Sequence, residues 1–243
     1  VVFAAFGRVT PEKRIAHTFR ALAAMVGRTP QVHFLVVGEP VPYYDAIAEA
    51  KRLGVADRVT FTGYVENRDL DDYIACADAC LCMRWPSSGE TSASWLRCLA
   101  GGRPTIVTDL HHTIDVPALV TRGTWTPSPS VEVAPNEQNV SAPTGGPSGL
   151  PLCVSIDIMD EENSLQVAMG RLARDRALRR ELGDRAKRFW AAHHTLKHMQ
   201  ADYLRVISLA LDSPPGVMAP LPHLRPDGLE TARDILKDMG MSV

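Results

Sequence analysis

Apolar, β-rich segments alternate with helical patterns along most of this 243-residue chain, and this alternation limits the possible folds more than any other feature. It predicts a parallel sheet covered by helices on both faces. The six predicted strands are Val1–Phe6, Val32–Val37, Val59–Thr62, Ala79–Met83, Thr105–Thr108 and Leu152–Ile156. We expect an α/β fold with a doubly wound, mostly parallel six-stranded sheet of Rossmann-like type, whose ligand lies at the carboxyl ends of the strands.

The first predicted helix starts after Thr10, which is expected to be its N-cap, with Pro11 in its first position. One face of this helix is apolar and carries Ile15, Phe19, Leu22 and Val26. Further helices are predicted at Tyr43–Leu53, Asp69–Ala77, Thr91–Ala100, Glu161–Leu182, Asp184–Leu211 and Asp227–Met239.

These elements predict one domain over residues 1–211 and a crossing segment with a final helix over residues 212–243. Residues 126–151 are rich in Pro, Ser, Gly, Asn and Glu and contain no Lys or Arg. This composition predicts a long, flexible loop inserted before the last strand.

Charge and hydropathy exclude two classes of protein. The 26 Lys and Arg residues nearly balance the 28 Asp and Glu residues, so the net charge of -2 gives no reason to expect nucleic-acid binding. No run of about 18 apolar residues could span a membrane, and no secretion leader is recognisable. We expect a cytoplasmic protein, with peripheral membrane association left open. Because a core strand comes first, without Met, we also expect a piece of a larger protein.

Cysteine and histidine clusters do not predict a metal site. Cys76, Cys80 and Cys82 lie close together, but they lack the spacing and the neighbouring His that a metal site needs, so we interpret them as small apolar residues. His111 and His112 lie in a loop without partner ligands. We therefore expect no metal and no cofactor.

Two cations follow the first strand. Arg8 comes directly after Gly7, and Lys13 is expected one turn into the next helix. If the loop is tight, both side chains project over the carboxyl end of the strand, where two cations can neutralise a diphosphate. The alternative is an ordinary turn with solvated charges, and the residues alone leave it open.

The loop before the helix at Thr91–Ala100 predicts an anion site. Thr91 and Ser92 offer hydroxyls and backbone amides at a helix N-terminus, and Glu90 supplies a carboxylate suited to sugar hydroxyls. A helix that is merely capped explains the same residues. Gly38, after the second strand, is expected only to form a turn, and the missing GxGxxG fingerprint speaks against a nicotinamide cofactor.

Several motifs in order carry a more specific signal. They are Gly7-Arg8 with Lys13, Phe34–Gly38, Val59–Val65, Ala77–Leu81 and Leu99–Asp109. Together they resemble the C-terminal, nucleotide-sugar-binding half of GT-B glycosyltransferases of the group-one, retaining class. The resemblance covers residues 1 to about 211.

This resemblance implies an enzyme, a hexosyltransferase that transfers a sugar from a nucleoside diphosphate sugar to an unidentified acceptor. Arg8 and Lys13 would bind the donor diphosphate, and the stretch Gly89–Ser92 would add amides at the helix N-terminus. Gly7 would allow close approach of the backbone, and Tyr64 and Val65 are implied neighbours of the base. The acceptor would bind mainly on the protein's own N-terminal domain, and no metal is required.

One position departs from the family pattern. Arg97 stands where the family has a glutamate that binds the ribose, and Gly89 takes the place of an earlier glutamate, with Glu90 one residue off. Arg cannot accept hydrogen bonds from a diol, so ribose is recognised differently or Arg97 contacts a phosphate. Two alternatives remain: a sugar-nucleotide epimerase or hydrolase of the same fold, and a non-catalytic domain that binds a nucleotide sugar or a partner.

Overall fold

The computed structural model describes residues 1–29, 31–113, 115–121, 150–213 and 229–241. Within them the chain forms an α/β fold around a seven-stranded sheet, and all the paired strands are parallel. The strands are β1 (Val2–Phe6), β2 (His33–Val37), β3 (Val59–Gly63), β4 (Ala79–Leu81), β5 (Thr105–Thr108), β6 (Ala118–Val120) and β7 (Cys153–Ile156). Their order across the sheet is β3-β2-β1-β4-β5-β7-β6. The doubly wound α/β prediction is confirmed.

The predicted number of six strands is wrong, because β6 was missed. This strand has three residues and pairs in parallel with β7 at one edge of the sheet. Ala118, Leu119 and Val120 follow Pro117 and are too few to show a period in the sequence. Most of the predicted loop 126–151 lies outside the described residues.

The helices follow the prediction in position but differ at their ends. They are α1 (Ile15–Met25), α2 (Ala46–Arg52), α3 (Leu70–Cys76), α4 (Ala93–Ala100), α5 (Glu161–Arg174), α6 (Arg176–His193), α7 (Leu196–Asp212) and α8 (Glu230–Asp238). The two long helices predicted over 161–211 are in fact three. Breaks at Asp175 and His194 separate them, and the Asp175 side chain caps α6 by accepting a hydrogen bond from the amide of Leu178 at 2.8 Å.

The start of the first helix also differs from the prediction. Residues Pro11–Lys13 form a separate 3-10 turn, and Arg14 follows in the left-handed conformation with φ of 59°. Its left-handed backbone ends the 3-10 turn, so α1 begins only at Ile15. Thr10 makes no side-chain cap to the turn, and Lys13 precedes α1 instead of lying one turn inside it.

Successive side chains of β1 point to opposite faces of the sheet, and both faces are packed. Phe3 and Ala5 belong to a core cluster that includes residues of α1 and α5, whereas Ala4 and Phe6 belong to a second cluster beneath α3 and α4. A strand that is apolar at every position is expected where both sheet faces are packed. The carboxyl end of β1 is therefore packed on both faces of the sheet.

A charged network joins the starts of α1 and α5. Glu161 is buried, and its carboxylate accepts a hydrogen bond from Arg14 Nε at 2.7 Å and lies 3.3 Å from His17 Nε2. Burial lowers the pKa of His17. The network holds the first residue of α5 against the turn that precedes α1.

We expect Glu161→Ala to lower the free energy of unfolding by about 3 kcal/mol, because Arg14 would lose its buried partner. The matched control is Glu162→Ala, which removes the exposed ion pair with Arg20 and should cost less than about 1 kcal/mol. Urea unfolding followed by circular dichroism measures both. Equal losses in the two variants would contradict this account of the network.

Contacts divide the chain into two compact units, Val1–His198 and Met199–Val243. The second unit contains most of α7 and all of α8. Because residues 214–228 lie outside the described part, the predicted boundary near residue 211 stays a prediction. Among the described helices, none combines the length and the apolar character needed to cross a bilayer.

Candidate functional site

The strand order creates a crevice between β1 and β4. From β1 the chain winds outward through β2 to β3, and it then returns to place β4 on the other side of β1. The loops after β1 and β4 therefore leave the sheet in opposite directions. Ligands of doubly wound folds bind at such a point, outside the carboxyl ends of the strands.

A cleft of about 490 Å³ lies at this position. Its walls come from the loops after β1, β2 and β4, and they carry three cationic and two anionic side chains. The lining residues are Arg8, Thr10, Glu12, Lys13, Tyr43, Arg84, Pro86, Ser88 and Glu90. The structure therefore brings together Arg8, Lys13 and Glu90, three residues that the sequence marked as candidates.

Lys13 reaches the cleft by folding back over β1. Its ammonium Nζ donates a hydrogen bond to the carbonyl of Phe6, and it passes so close to Gly7 that a side chain at Gly7 would collide with it. Burial lowers the pKa of Lys13 to about 8. The short turn Pro11–Lys13 thus places a half-buried amine at the end of β1, beside the exposed Arg8.

Gly38 supports this loop from the next strand, which corrects the prediction that it only forms a turn. Its φ is +149°, and a Cβ atom there would overlap the carbonyl oxygen of Gly7. Around it, the amide of Gly7 donates to Val37 O at 2.8 Å, and the amide of Val9 donates to Glu39 O at 2.9 Å. Backbone hydrogen bonds therefore hold the loops after β1 and β2 together, and Gly38 lets the two backbones come into direct contact.

The loop after β4 holds the carboxylate of Glu90 by three donors. Glu90 Oε2 accepts hydrogen bonds from Ser88 Oγ at 2.5 Å and from the amide of Ser88 at 3.1 Å, and Glu90 Oε1 is ion-paired with Arg84 Nη1. The hydroxyl of Ser88 and, to a smaller extent, Arg84 lower the pKa of Glu90 to about 2. At physiological pH this side chain is a carboxylate that accepts hydrogen bonds and holds no proton to donate.

A backbone hydrogen bond joins the loops after β1 and β4, since the amide of Trp85 donates to Glu12 O at 2.8 Å. The loop after β4 is also tied to the end of β5, because the amide of Arg84 donates to Thr108 Oγ1 at 3.2 Å. The cleft walls from β1 and β4 are therefore joined across the crevice. This arrangement keeps the cations on both walls close to one another.

The sequence analysis did not mark the other six lining residues as site residues: Thr10, Glu12, Tyr43, Arg84, Pro86 and Ser88. Arg84 could have been found, since it is a cation placed shortly after a buried strand that ends at the same sheet edge as β1. Tyr43 had no such signal, because it depends on how the loop after β2 is folded.

The expected anion site at the N-terminus of α4 begins later than predicted. Ser92 is the N-cap and accepts a hydrogen bond from the amide of Trp95 at 3.3 Å, so the helix starts at Ala93. Gly89 and Thr91 belong to the same loop but do not line the cleft. His111 lies near this loop: a Cβ atom on Gly89 would be 3.5 Å from His111 Nε2. Diphosphate binding by these amides stays a prediction.

The remaining predicted residues lie outside the cleft lining. Arg97 is in α4, and its Nη1 is buried without a hydrogen-bond partner among the described residues. Tyr64 is 68% exposed after β3, whereas Val65 packs on the core cluster beneath α3. Their contacts to ribose, phosphate or base stay predictions, as does independence from metal.

Comparison with known proteins identifies the class to which this fold and cleft belong. A model of the group 1 glycosyl transferases matches residues 1–136, which is more than half of the chain. The chain therefore belongs to the group 1 glycosyl transferases. Mannosylfructose-phosphate synthase from Agrobacterium fabrum (strain C58) is 30% identical over 116 residues, which cover 44% of this chain and 25% of that protein.

Solved structures show that the fold is that of GT-B glycosyltransferases. Sucrose-phosphate synthase from Thermosynechococcus elongatus matches with a TM-score of 0.60 at 20% identity, over 86% of this chain and 46% of that one. Anabaena HepE, in a complex with UDP and glucose, matches with a TM-score of 0.62 at 15% identity, over 86% of this chain and 48% of that one. This chain thus spans about half the length of these structures.

Proposed function

We propose that this chain is the donor-binding half of a retaining hexosyltransferase, which transfers a sugar from a nucleoside diphosphate sugar to an acceptor without a metal. The cleft between β1 and β4 carries this proposal. Arg8, Lys13 and Arg84 line it together, and clustered cations of this kind bind the oxygens of a diphosphate. The UDP bound to HepE, a protein of the same fold, supports the choice of a nucleotide.

Catalysis would consist mainly of stabilising the leaving group. As the bond between the sugar and the diphosphate breaks, negative charge grows on the departing phosphate oxygen. In this proposal Arg8 and Lys13 would contact that oxygen, and interactions that strengthen as charge develops lower the barrier. Lys13 is well suited to this role, because burial has already removed much of its hydration.

Glu90 would orient the sugar. With a pKa of about 2 it stays ionised and can accept hydrogen bonds from two sugar hydroxyls. The same low pKa speaks against an epimerase or hydrolase that uses Glu90 as a general acid, because such an acid needs a pKa near the working pH.

The acceptor would bind on the rest of the protein. The chain spans about half the length of the two solved structures, and the described cleft opens between loops that belong to this half alone. We therefore expect this chain to bind the donor but to catalyse little transfer by itself. Its own N-terminal domain would complete the site.

Donor binding should depend on pH through Lys13. Burial lowers its pKa to about 8, and a diphosphate beside the ammonium would raise it, so binding above pH 8 requires uptake of a proton. The affinity is expected to fall about tenfold between pH 7 and pH 9. Calorimetry at a series of pH values measures this, with Lys13→Arg as the control, because an Arg stays charged and should flatten the curve. An equally steep curve in that variant would contradict the assignment.

Saturation-transfer NMR tests the proposed function directly. UDP-glucose, GDP-mannose and ADP-glucose would each be mixed with the 243-residue chain. We expect signals from both the base and the sugar protons of at least one donor, and competition by the corresponding nucleoside diphosphate. If no donor gives a signal while the chain is folded, the proposal is wrong.

A further inference from the structure

Arg84 lies on the wall opposite the two cations that were predicted from the sequence. Arg8 and Lys13 belong to the loop after β1, whereas Arg84 follows β4 on the other side of the crevice. A diphosphate between these loops would meet cations from both walls. The backbone of Arg84 is anchored there, because its amide donates to Thr108 Oγ1.

The guanidinium of Arg84 is ion-paired with the carboxylate of Glu90. Both side chains are more than a third exposed, 38% for Arg84 and 39% for Glu90. Ion pairs of this exposure are weak, so the pair can exchange for a stronger partner at little cost. Glu90 would not be left alone, since Ser88 Oγ and the amide of Ser88 both donate to its other oxygen.

Arg8, Lys13 and Arg84 carry like charges in one cleft and repel one another. Burial and, to a smaller extent, the charge of Arg84 lower the pKa of Lys13. Glu12 and Glu90 line the same cleft and offset part of this charge. A bound diphosphate would offset this repulsion and would compete with Glu90 for the guanidinium of Arg84.

We propose that Arg84 is a third ligand of the donor diphosphate, which exchanges its ion pair with Glu90 for contacts to the phosphates and thereby frees Glu90 for the sugar. This inference rests on the proposed function. Binding of the diphosphate would release the carboxylate of Glu90 for the sugar in the same step. The donor would then prepare its own sugar site.

The exchange predicts opposite effects at the two residues. Arg84→Gln removes a charged phosphate contact and should weaken binding of a nucleoside diphosphate about tenfold or more. Glu90→Gln removes the competitor of the phosphates for Arg84 and should tighten binding of the same nucleoside diphosphate about threefold. In the Arg84→Gln and Glu90→Gln double variant, the gain from Glu90→Gln should disappear.

Calorimetric titration of the 243-residue chain with UDP, GDP and ADP tests this cycle. The nucleotide that the unmodified chain binds most tightly is then used for all variants. Arg84→Lys is included because it keeps the charge, and it should recover part of the lost affinity. Arg52→Gln is the matched control, since Arg52 pairs with Glu49 on the surface of α2, and it should leave affinity unchanged. Thermal melting confirms that each variant is folded.

The outcomes separate the two proposals. Tighter binding in Glu90→Gln that vanishes without Arg84 supports the exchange. If Lys13→Met abolishes binding while Arg84→Gln binds normally, the donor site stands and the role of Arg84 is wrong. If Glu90→Gln weakens binding of the nucleoside diphosphate, the exchange is also wrong. If the unmodified chain binds none of the three nucleotides, both proposals fall.

Discussion

Replacing Lys13 by Met should weaken binding of a nucleoside diphosphate about 100-fold, a loss of about 2.7 kcal/mol. The amine lies half-buried at the end of β1, where burial holds its pKa at about 8, so water competes less for it than for a surface lysine. Met keeps the length and apolar character of the side chain. The change therefore removes the charge with little change in packing.

Calorimetry measures this loss, and Lys51→Met serves as the control, because Lys51 is exposed in α2 and lies outside the cleft. We expect the control to bind as the unmodified chain does. The melting temperature of Lys13→Met should stay close to that of the parent. A variant that is folded and binds with unchanged affinity would remove Lys13 from the donor site.

Gly38→Ala should cost several kcal/mol of folding free energy and should also abolish donor binding. The new Cβ would overlap the carbonyl oxygen of Gly7, and both partners are backbone atoms that cannot rotate away. The loop after β1 would have to shift. Since this loop carries Arg8 and Lys13, the damage would reach the cleft.

Gly54→Ala is the matched control for this change. Gly54 also has a positive φ, +69°, but no atom lies within 4 Å of the position of its Cβ. It therefore measures the cost of a left-handed backbone without a steric overlap, which is expected to be about 1 kcal/mol. Urea unfolding compares the two. A loss in Gly38→Ala no greater than in Gly54→Ala would show that the contact with Gly7 is unimportant.

The strands and the position of the cleft could be predicted because they depend on local patterns. Continuous apolar runs such as Phe34–Val37 identify buried parallel strands, and the carboxyl ends of parallel strands share one edge. The loops that follow such strands carry Arg8 and Lys13 after β1 and Glu90 after β4. Their meeting in one cleft therefore follows from the order of elements.

Features that depend on tertiary contacts could not be predicted in the same way. The left-handed Arg14 ends the turn at Lys13, although nothing in its residue type marks that conformation. Gly38 supports Gly7 only because β1 and β2 are neighbours in the sheet. The pair between Arg84 and Glu90 requires a folded loop, and β6 is too short to show a period.

Titration of the unmodified 243-residue chain with UDP, GDP and ADP tests the central claim most directly. The account predicts that at least one of them binds at a single site, with affinity that falls above pH 8 and is lost in Lys13→Met. The absence of heat with all three nucleotides, from a chain that melts cooperatively, would contradict the claim that this cleft holds a donor diphosphate.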